Sequence, residues 1–217
     1  PSLALDSARH EIKRMGKRVD QMNSAMMPAV LTGNKESLLA VREMYAEVDI
    51  LHKHIVTYLA KVSQLKLNES QTHKFINLMT AVNNLDYVGD LIEVNMVDLG
   101  IRRIEKGFKI SAATQKVLNT LYVVVSDALK AAIRAVVEED KDFAYRVILI
   151  KDDINRLEEK ADLHQAQRLV SEDSGKFESY SVQVDIIEKL KRIYYYAMQM
   201  AQTVVEVGEE AVIKEAA

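Results

Sequence analysis

Apolar residues recur along this chain at alternating spacings of three and four, the period of a helix that buries one face. Over residues 3–31 the stripe is Ala8, Ile12, Met15, Val19, Met22 and Met26. Pro28 falls inside the pattern, where it should kink the helix or begin a new turn. Thr32-Gly33-Asn34 closes this helix, with Gly33 expected as a left-handed cap. Residues 35–65 carry Val41, Met44, Val48, Leu51, Ile55, Tyr58 and Val62, with Tyr45, Asp49, His52 and Val56 on the line beside them. Lys66-Leu67-Asn68 breaks the pattern, and Asn68 or Ser70 can cap the next helix. That third helix, over residues 69–105, repeats Leu78, Leu85, Ile92 and Leu99 every seven positions, and Lys106-Gly107 stops it.

The remainder repeats the plan. Residues 111–138 bury Val117, Leu121, Val124, Ala128, Ala131 and Ala135, the alanines admitting a close neighbour. Glu138-Glu139-Asp140-Lys141 is a polar break. Residues 142–170 bury Phe143, Val147, Ile150, Ile154, Leu157 and Ala161, and Ser171-Glu172-Asp173-Ser174-Gly175 reads as a loop. The last helix, residues 176–217, buries Tyr180, Val184, Ile187, Leu190, Tyr194, Ala197, Ala201 and Val204. Only 7 Gly and 2 Pro interrupt the chain, which favours long helices joined by short turns. The fold class expected is all-α: six long antiparallel helices forming two tandem three-helix bundles, residues 1–108 and 109–217, within one continuous globular unit. Val48-Asp49-Ile50-Leu51 matches Ile154-Asn155-Arg156-Leu157, and Leu85-Asp86-Tyr87-Val88 matches Leu190-Lys191-Arg192-Ile193. Both pairs are separated by about 105 residues, the mark of an internal duplication.

Composition narrows the function classes. At 48% hydrophobic the chain can build a sizeable core, and it has no cysteine for a disulfide framework or a thiolate metal site. A formal charge of −3, with acids and bases interspersed, lacks the basic footprint of nucleic-acid binding. No apolar run approaches a membrane span, the nearest being residues 147–150, and Pro1-Ser2-Leu3-Ala4-Leu5 lacks signal-peptide anatomy. The chain enters helical pattern almost at once, as if cut from something longer, though removal of an initiator Met would leave the same start.

The candidate chemistry lies on the third helix. Asp86, Asp90 and Glu93 stand at i, i+4 and i+7, a spacing that lines carboxylates along one edge of the core stripe. Like charges so placed repel, so either water screens them or a cation does. With Asp49 from the second helix they form an oxygen donor set for a hard cation such as Mg, Ca, Mn or Fe(III). His52, one turn from Asp49, is a candidate nitrogen ligand; an ordinary solvated acidic face is the other reading. No Glu-x-x-His pair of the ferritin-like kind is present. Lys13, Arg14, Lys17 and Arg18 form a basic cluster that either faces anionic lipid or is simply solvated. Of Tyr194-Tyr195-Tyr196, the first belongs to the core stripe, and the other two fill grooves or offer a partner surface.

Two helical triplets with Asp-x-x-x-Asp on the third helix resemble the PhoU family of phosphate-uptake regulators. Asp86-Tyr87-Val88-Gly89-Asp90 matches the family motif, and Val48-Asp49-Ile50-Leu51 is similar to its helix-two signature. The opening Ala8-Arg9-His10-Glu11-Ile12-Lys13-Arg14-Met15-Gly16 resembles one branch, the PhoU-like cytoplasmic C-terminal domain of bacterial sodium/phosphate cotransporter-type proteins. The resemblance implies a non-enzymatic regulator of phosphate transport at the inner face of the membrane. Its partner would be a membrane transporter region in the same or a partner chain, with a homodimer possible and nucleic acid not expected. It also implies metal on the acidic motifs, up to one site per half. Here the chain departs from the family: Lys191 and Tyr195 stand where Asp86 and Asp90 have their counterparts, and Asn155 where Asp49 does. At most one metal site is therefore expected, in the first half, from Asp86, Asp90, Glu93 and Asp49. The alternatives are a helical scaffold binding a protein partner and a metal-dependent phosphoesterase.

Overall fold

The computed structural model describes residues 1–171 and 177–215, with side chains placed at 1–170 and 177–205. Its helices are α1 (Ser2–Thr32), α2 (Lys35–Val62), α3 (Glu69–Asp90), α4 (Val97–Glu105), α5 (Ala112–Glu138), α6 (Lys141–Leu149), α7 (Lys151–Ser171) and α8 (Phe177–Glu215). A π-helical stretch, Leu91–Met96, joins α3 to α4 without a turn, so the two make one rod. Of the expected loop Ser171-Glu172-Asp173-Ser174-Gly175, Ser171 ends α7, and the other four, with Lys176, lie outside the described residues. None of the helices is long and apolar enough among the described residues to cross a membrane.

The packing groups these helices as two triplets. In front, α1 lies against α2 and the α3–α4 rod; behind, α8 lies against α5, α6 and α7. The triplets meet where α1 packs on α5 and α3 on α8. One hydrophobic core runs through both, from Leu5 and Ile12 in front to Ile193 and Met200 behind. Met15, Met22, Met26 and Met27 have no exposed surface and fill the core as packing residues. Asn23 and Ser126 share a buried 2.9 Å hydrogen bond across the junction, and the Tyr122 hydroxyl donates to the Asn23 carbonyl at 3.0 Å.

Local chemistry sets the helix ends. Asn34 accepts from the Ser37 amide, Asn68 and Gln71 form a reciprocal capping box, and Ser111 accepts from the Thr114 amide. Gly33 is not the left-handed cap expected: its φ is −70° and ψ 171°, an extended residue. Its glycine identity answers to space, because a Cβ would stand 2.7 Å from the Ala29 carbonyl oxygen and 2.4 Å from Ser37 Oγ. The carbonyls freed at this helix end go instead to Arg103, whose guanidinium donates to Val30 O at 2.8 Å and to Gly33 O. Among the described residues, the left-handed ones are Gly107 (φ 67°) and Glu139 (φ 53°), the latter closing α5.

Three expectations about the helices are corrected. Pro28 does not begin a new turn: α1 continues through it to Thr32. The helix expected over 142–170 is interrupted at Ile150 (φ −86°, ψ 5°), where Asp152 and Asp153 in the first turn of α7 favour a new helix start. The Val147 carbonyl beside that break accepts from the Tyr194 hydroxyl at 2.8 Å. In α2 the stripe passes through Leu59, which is fully buried, while Tyr58 is 38% exposed.

Candidate metal centre

The carboxylates expected to act together sit along the seam between α2 and the α3–α4 rod. Gly89 permits that seam: a Cβ there would stand 3.0 Å from Tyr45 Cδ2 and 3.2 Å from Val48 Cγ1. The glycine inside Asp86-Tyr87-Val88-Gly89-Asp90 thus seats the Tyr45 ring against α3. The Tyr45 hydroxyl donates to Asp86 Oδ1 at 3.0 Å. Burial first, then that bond and the charges of Asp86, Asp90 and Asp49, make the Tyr45 hydroxyl harder to ionise than an ordinary phenol. The negative charges of Asp86, Asp90 and Asp49 thus all bear on one hydroxyl, and Asp86 bonds it.

Glu93 joins them from the π-helical stretch. Its carboxyl is pushed above its ordinary value by burial, then by Asp90, with Asp49 adding and Arg42 opposing. An α-helical count puts Glu93 on the line of Asp86 and Asp90, but the wider π turn rotates it off that line. Such turns concentrate at functional sites.

Several counter-charges already engage the cluster. Lys53 Nζ lies 2.6 Å from Asp49 Oδ2. His52 Nδ1 lies 3.9 Å from Asp86 Oδ2, and its Nε2 is 3.1 Å from Asn83 Oδ1. Arg42 pairs with Asp98 at 2.7 Å. Among the described residues, no three His, Asp or Glu are arranged to hold one metal ion. Carboxylate oxygens are the donors a hard cation takes, and the Glu93 carboxyl is raised first by burial and then by the charges of Asp90 and Asp49. Tyr45, Arg42 and Lys53 belong to this site and were not anticipated as members. The signal for Tyr45 was its position four residues before Asp49 on the same helical line.

The rear triplet is different. Lys191 Nζ lies 2.5 Å from Glu158 Oε2, and Asp162 is raised by burial and by Glu158 while Lys191 opposes the rise. An ammonium occupies the position corresponding to Asp86. Tyr195, the counterpart of Asp90, is 55% exposed and accepts from Gln199 at 2.9 Å. Tyr196 packs on Tyr87 with ring centroids 5.5 Å apart, tying α8 to α3. His164 bonds Thr114 Oγ1 at 3.1 Å through its Nε2.

Comparison with known proteins places the two triplets in context. The family model described as PhoU domain matches twice, over residues 12–97 and 118–204. Among curated relatives, a protein of Salmonella typhimurium (strain LT2) named "Putative inorganic phosphate export protein YjbB" is 23% identical over 206 residues, 95% of this chain. The Escherichia coli (strain K12) protein of the same name is 22% identical over 210 residues, 97% of this chain. The chain spans 38% of the length of each. Among solved structures, PhoU from Pseudomonas aeruginosa superposes with a TM-score of 0.88 at 17% identity, covering 96% of this chain and 99% of that one. A PhoU-like protein from Shewanella oneidensis MR-1 gives 0.54 at 15% identity, covering 100% and 99%. At these identities the structural likeness concerns the fold.

Proposed function

The chain belongs to the PhoU family, and from that premise we propose that it is a regulatory domain of phosphate transport that works by binding and carries no catalysis of its own. The observation that carries this reading is the doubled family match in a chain whose curated relatives are named as phosphate export proteins. In this proposal it works as the cytoplasmic portion of a sodium/phosphate cotransporter-type protein, against the inner face of the membrane; the names of the relatives, as phosphate export proteins, support a transport setting. Its partner in this reading is the transporter region, in the same or a partner chain.

The front seam supplies the sensing element of this proposal. Asp86, Asp90, Glu93 and Asp49 would hold a hard divalent cation between α2 and the α3–α4 rod. Such a cation supplies the positive charge that four neighbouring carboxylates lack. Asp86 would turn an oxygen from the Tyr45 hydroxyl, and Asp49 would release Lys53. Both moves are side-chain rotations at partly exposed positions. The seam would then be tied by ionic bonds in place of a hydrogen bond and a surface ion pair.

The test is genetic and quantitative. In cells lacking the gene, phosphate flux is measured with radiolabelled phosphate after return of the wild-type gene or an Asp86→Ala, Asp90→Ala version. Altered flux in the deletion, restored by wild type, supports the regulatory reading. Unchanged flux in the deletion contradicts it. Failure of the double variant to restore flux, at equal protein level, ties regulation to the seam; full restoration separates the seam from it.

A further inference from the structure

We propose that the trough between α1 and α5 docks an acidic amphipathic helix of a partner protein. Gly16 brings the two helices together there, since a Cβ on it would stand 2.7 Å from Ile133 Cγ2. Above that contact the surface opens into a groove of about 500 Å3 whose floor is Gly16, Ile133 and Val137. Lys13, Arg14 and Lys17 rise from α1 on one side, and Lys130 and Arg134 from α5 on the other. Only Asp20 and Glu138 bring negative charge to the lining. Glu138 is spent on Arg134, which donates to both of its oxygens at 2.9 and 3.2 Å. Asp20 faces Lys130, which partly offsets the rise that burial imposes on its carboxyl. Lys13 and Lys17 make no hydrogen bond or ion pair among the described residues. The groove continues into a smaller depression lined by Arg9, His10, Lys13, Val137 and Glu138, where Arg9 is already paired with Asp6 and Glu139.

Five bases line the groove against two acids, and Arg14 is held by Glu11 at 2.7 Å. Lys13 and Lys17 are the free cations among the described lining residues; on a chain whose formal charge is −3, they make this face complementary to a negative partner. A second copy of the chain meeting it face to face would set these bases against one another, so an isologous contact here is unfavourable. A flat bilayer would reach the lysines but not the apolar floor recessed between two helices. A third helix meets both demands. Its apolar ridge at i, i+3, i+4 and i+7 drops into the trough, and flanking carboxylates reach the lysines. This surface is independent of the metal proposal, because none of its residues belongs to the front seam.

The experiment uses the protein as it exists and a synthetic fluorescein-labelled peptide, a leucine-striped helix flanked by glutamates. A second peptide carries lysines in place of the glutamates, and phosphatidylglycerol/phosphatidylcholine vesicles serve as a membrane probe. Fluorescence anisotropy gives affinity, and lysine acetylation with mass spectrometry gives the footprint. The glutamate peptide binds and protects Lys13, Lys17 and Lys130. Lys13→Glu with Lys17→Glu weakens it by about tenfold or more and lets the lysine peptide bind instead. Ile133→Glu abolishes binding with the helical spectrum retained. Equal binding of both peptides to wild type, protection elsewhere, or protection of these lysines by vesicles and not by peptide would overturn the proposal.

Discussion

Lys191 Nζ stands 2.5 Å from Glu158 Oε2, at the place in the rear triplet where the repeat sets Asp86 and His52 in front. The polarity is inverted: acid on α3 facing a histidine on α2, base on α8 facing an acid on α7. The side chain of Lys191 supplies a positive charge in the rear at the position where the front has the carboxylate of Asp86. Glu158 is the better shielded partner, its side chain 20% exposed against 47% for Lys191.

Lys191→Met should destabilise the protein by about 1 kcal/mol at pH 7, the upper range for a half-exposed pair. Asp162 and Glu158 would then face each other without a cation. The Asp162 carboxyl, already raised by burial and by Glu158, would rise further, so its contribution is favourable at acid pH and lost as pH rises through the folded value. Urea unfolding should therefore show a larger deficit at pH 7 than at pH 4. An equal deficit at both would mean that Lys191 acts through packing alone.

Gly89→Ala places a methyl group 3.0 Å from a ring held by its bond to Asp86. Alanine gains about 1 kcal/mol of helix propensity over glycine, while overpacking costs roughly 1–3 kcal/mol. With Tyr45 pinned, the net should be a loss of up to about 2 kcal/mol. In a Tyr45→Phe background the ring can yield, and the same substitution should cost less. A double-mutant cycle by chemical denaturation measures the coupling.

Arg103→Met removes two hydrogen bonds from carbonyls at the end of α1 and leaves the Val30 oxygen without its donor. The cost of an unsatisfied buried acceptor sets the expected loss at about 2 kcal/mol. Burial already holds the guanidinium below its ordinary value, but nowhere near deprotonation at neutral pH. Amide hydrogen exchange should localise the loss to the last turn of α1.

The front carboxylates were legible because both rules that place them are local: i, i+4 spacing on one helix, and an adjacent line on its neighbour. Tyr45 shared that line yet was not seen as part of the site, because its role depends on the distance between two helices, which Gly89 sets. The π turn after Asp90 leaves no comparable mark in the residue pattern. It moves Glu93 off a line that α-helical counting had drawn. Gly33 was misread because glycine serves two purposes, positive φ and close approach, and only coordinates separate them. The break at Ile150 had a signal in Asp152 and Asp153, an acidic first turn hidden inside an unbroken apolar period. Tyr58 and Leu59 are neighbours, and the drift of 3.6-residue periodicity over a long helix decides which one points inward.

Without a cation, Glu93 should make the protein less stable as pH rises. Its folded carboxyl is raised above the ordinary 4.5. The favourable contribution is thus fully present below 4.5 and lost as pH passes through the folded value. In EDTA, Glu93→Gln should flatten that part of the pH profile and melt above wild type at pH 7. Identical profiles would show that Asp90 and Asp49 do not act on Glu93.

The most direct measurement is metal stoichiometry by isothermal titration with Mn2+ and elemental analysis, on wild type, on Asp86→Asn with Asp90→Asn, and on Lys191→Met. One equivalent in wild type, none in the double variant and one still present in Lys191→Met would place a single cation in the front seam. No metal in wild type, or an equivalent that survives loss of both Asp86 and Asp90, would contradict it.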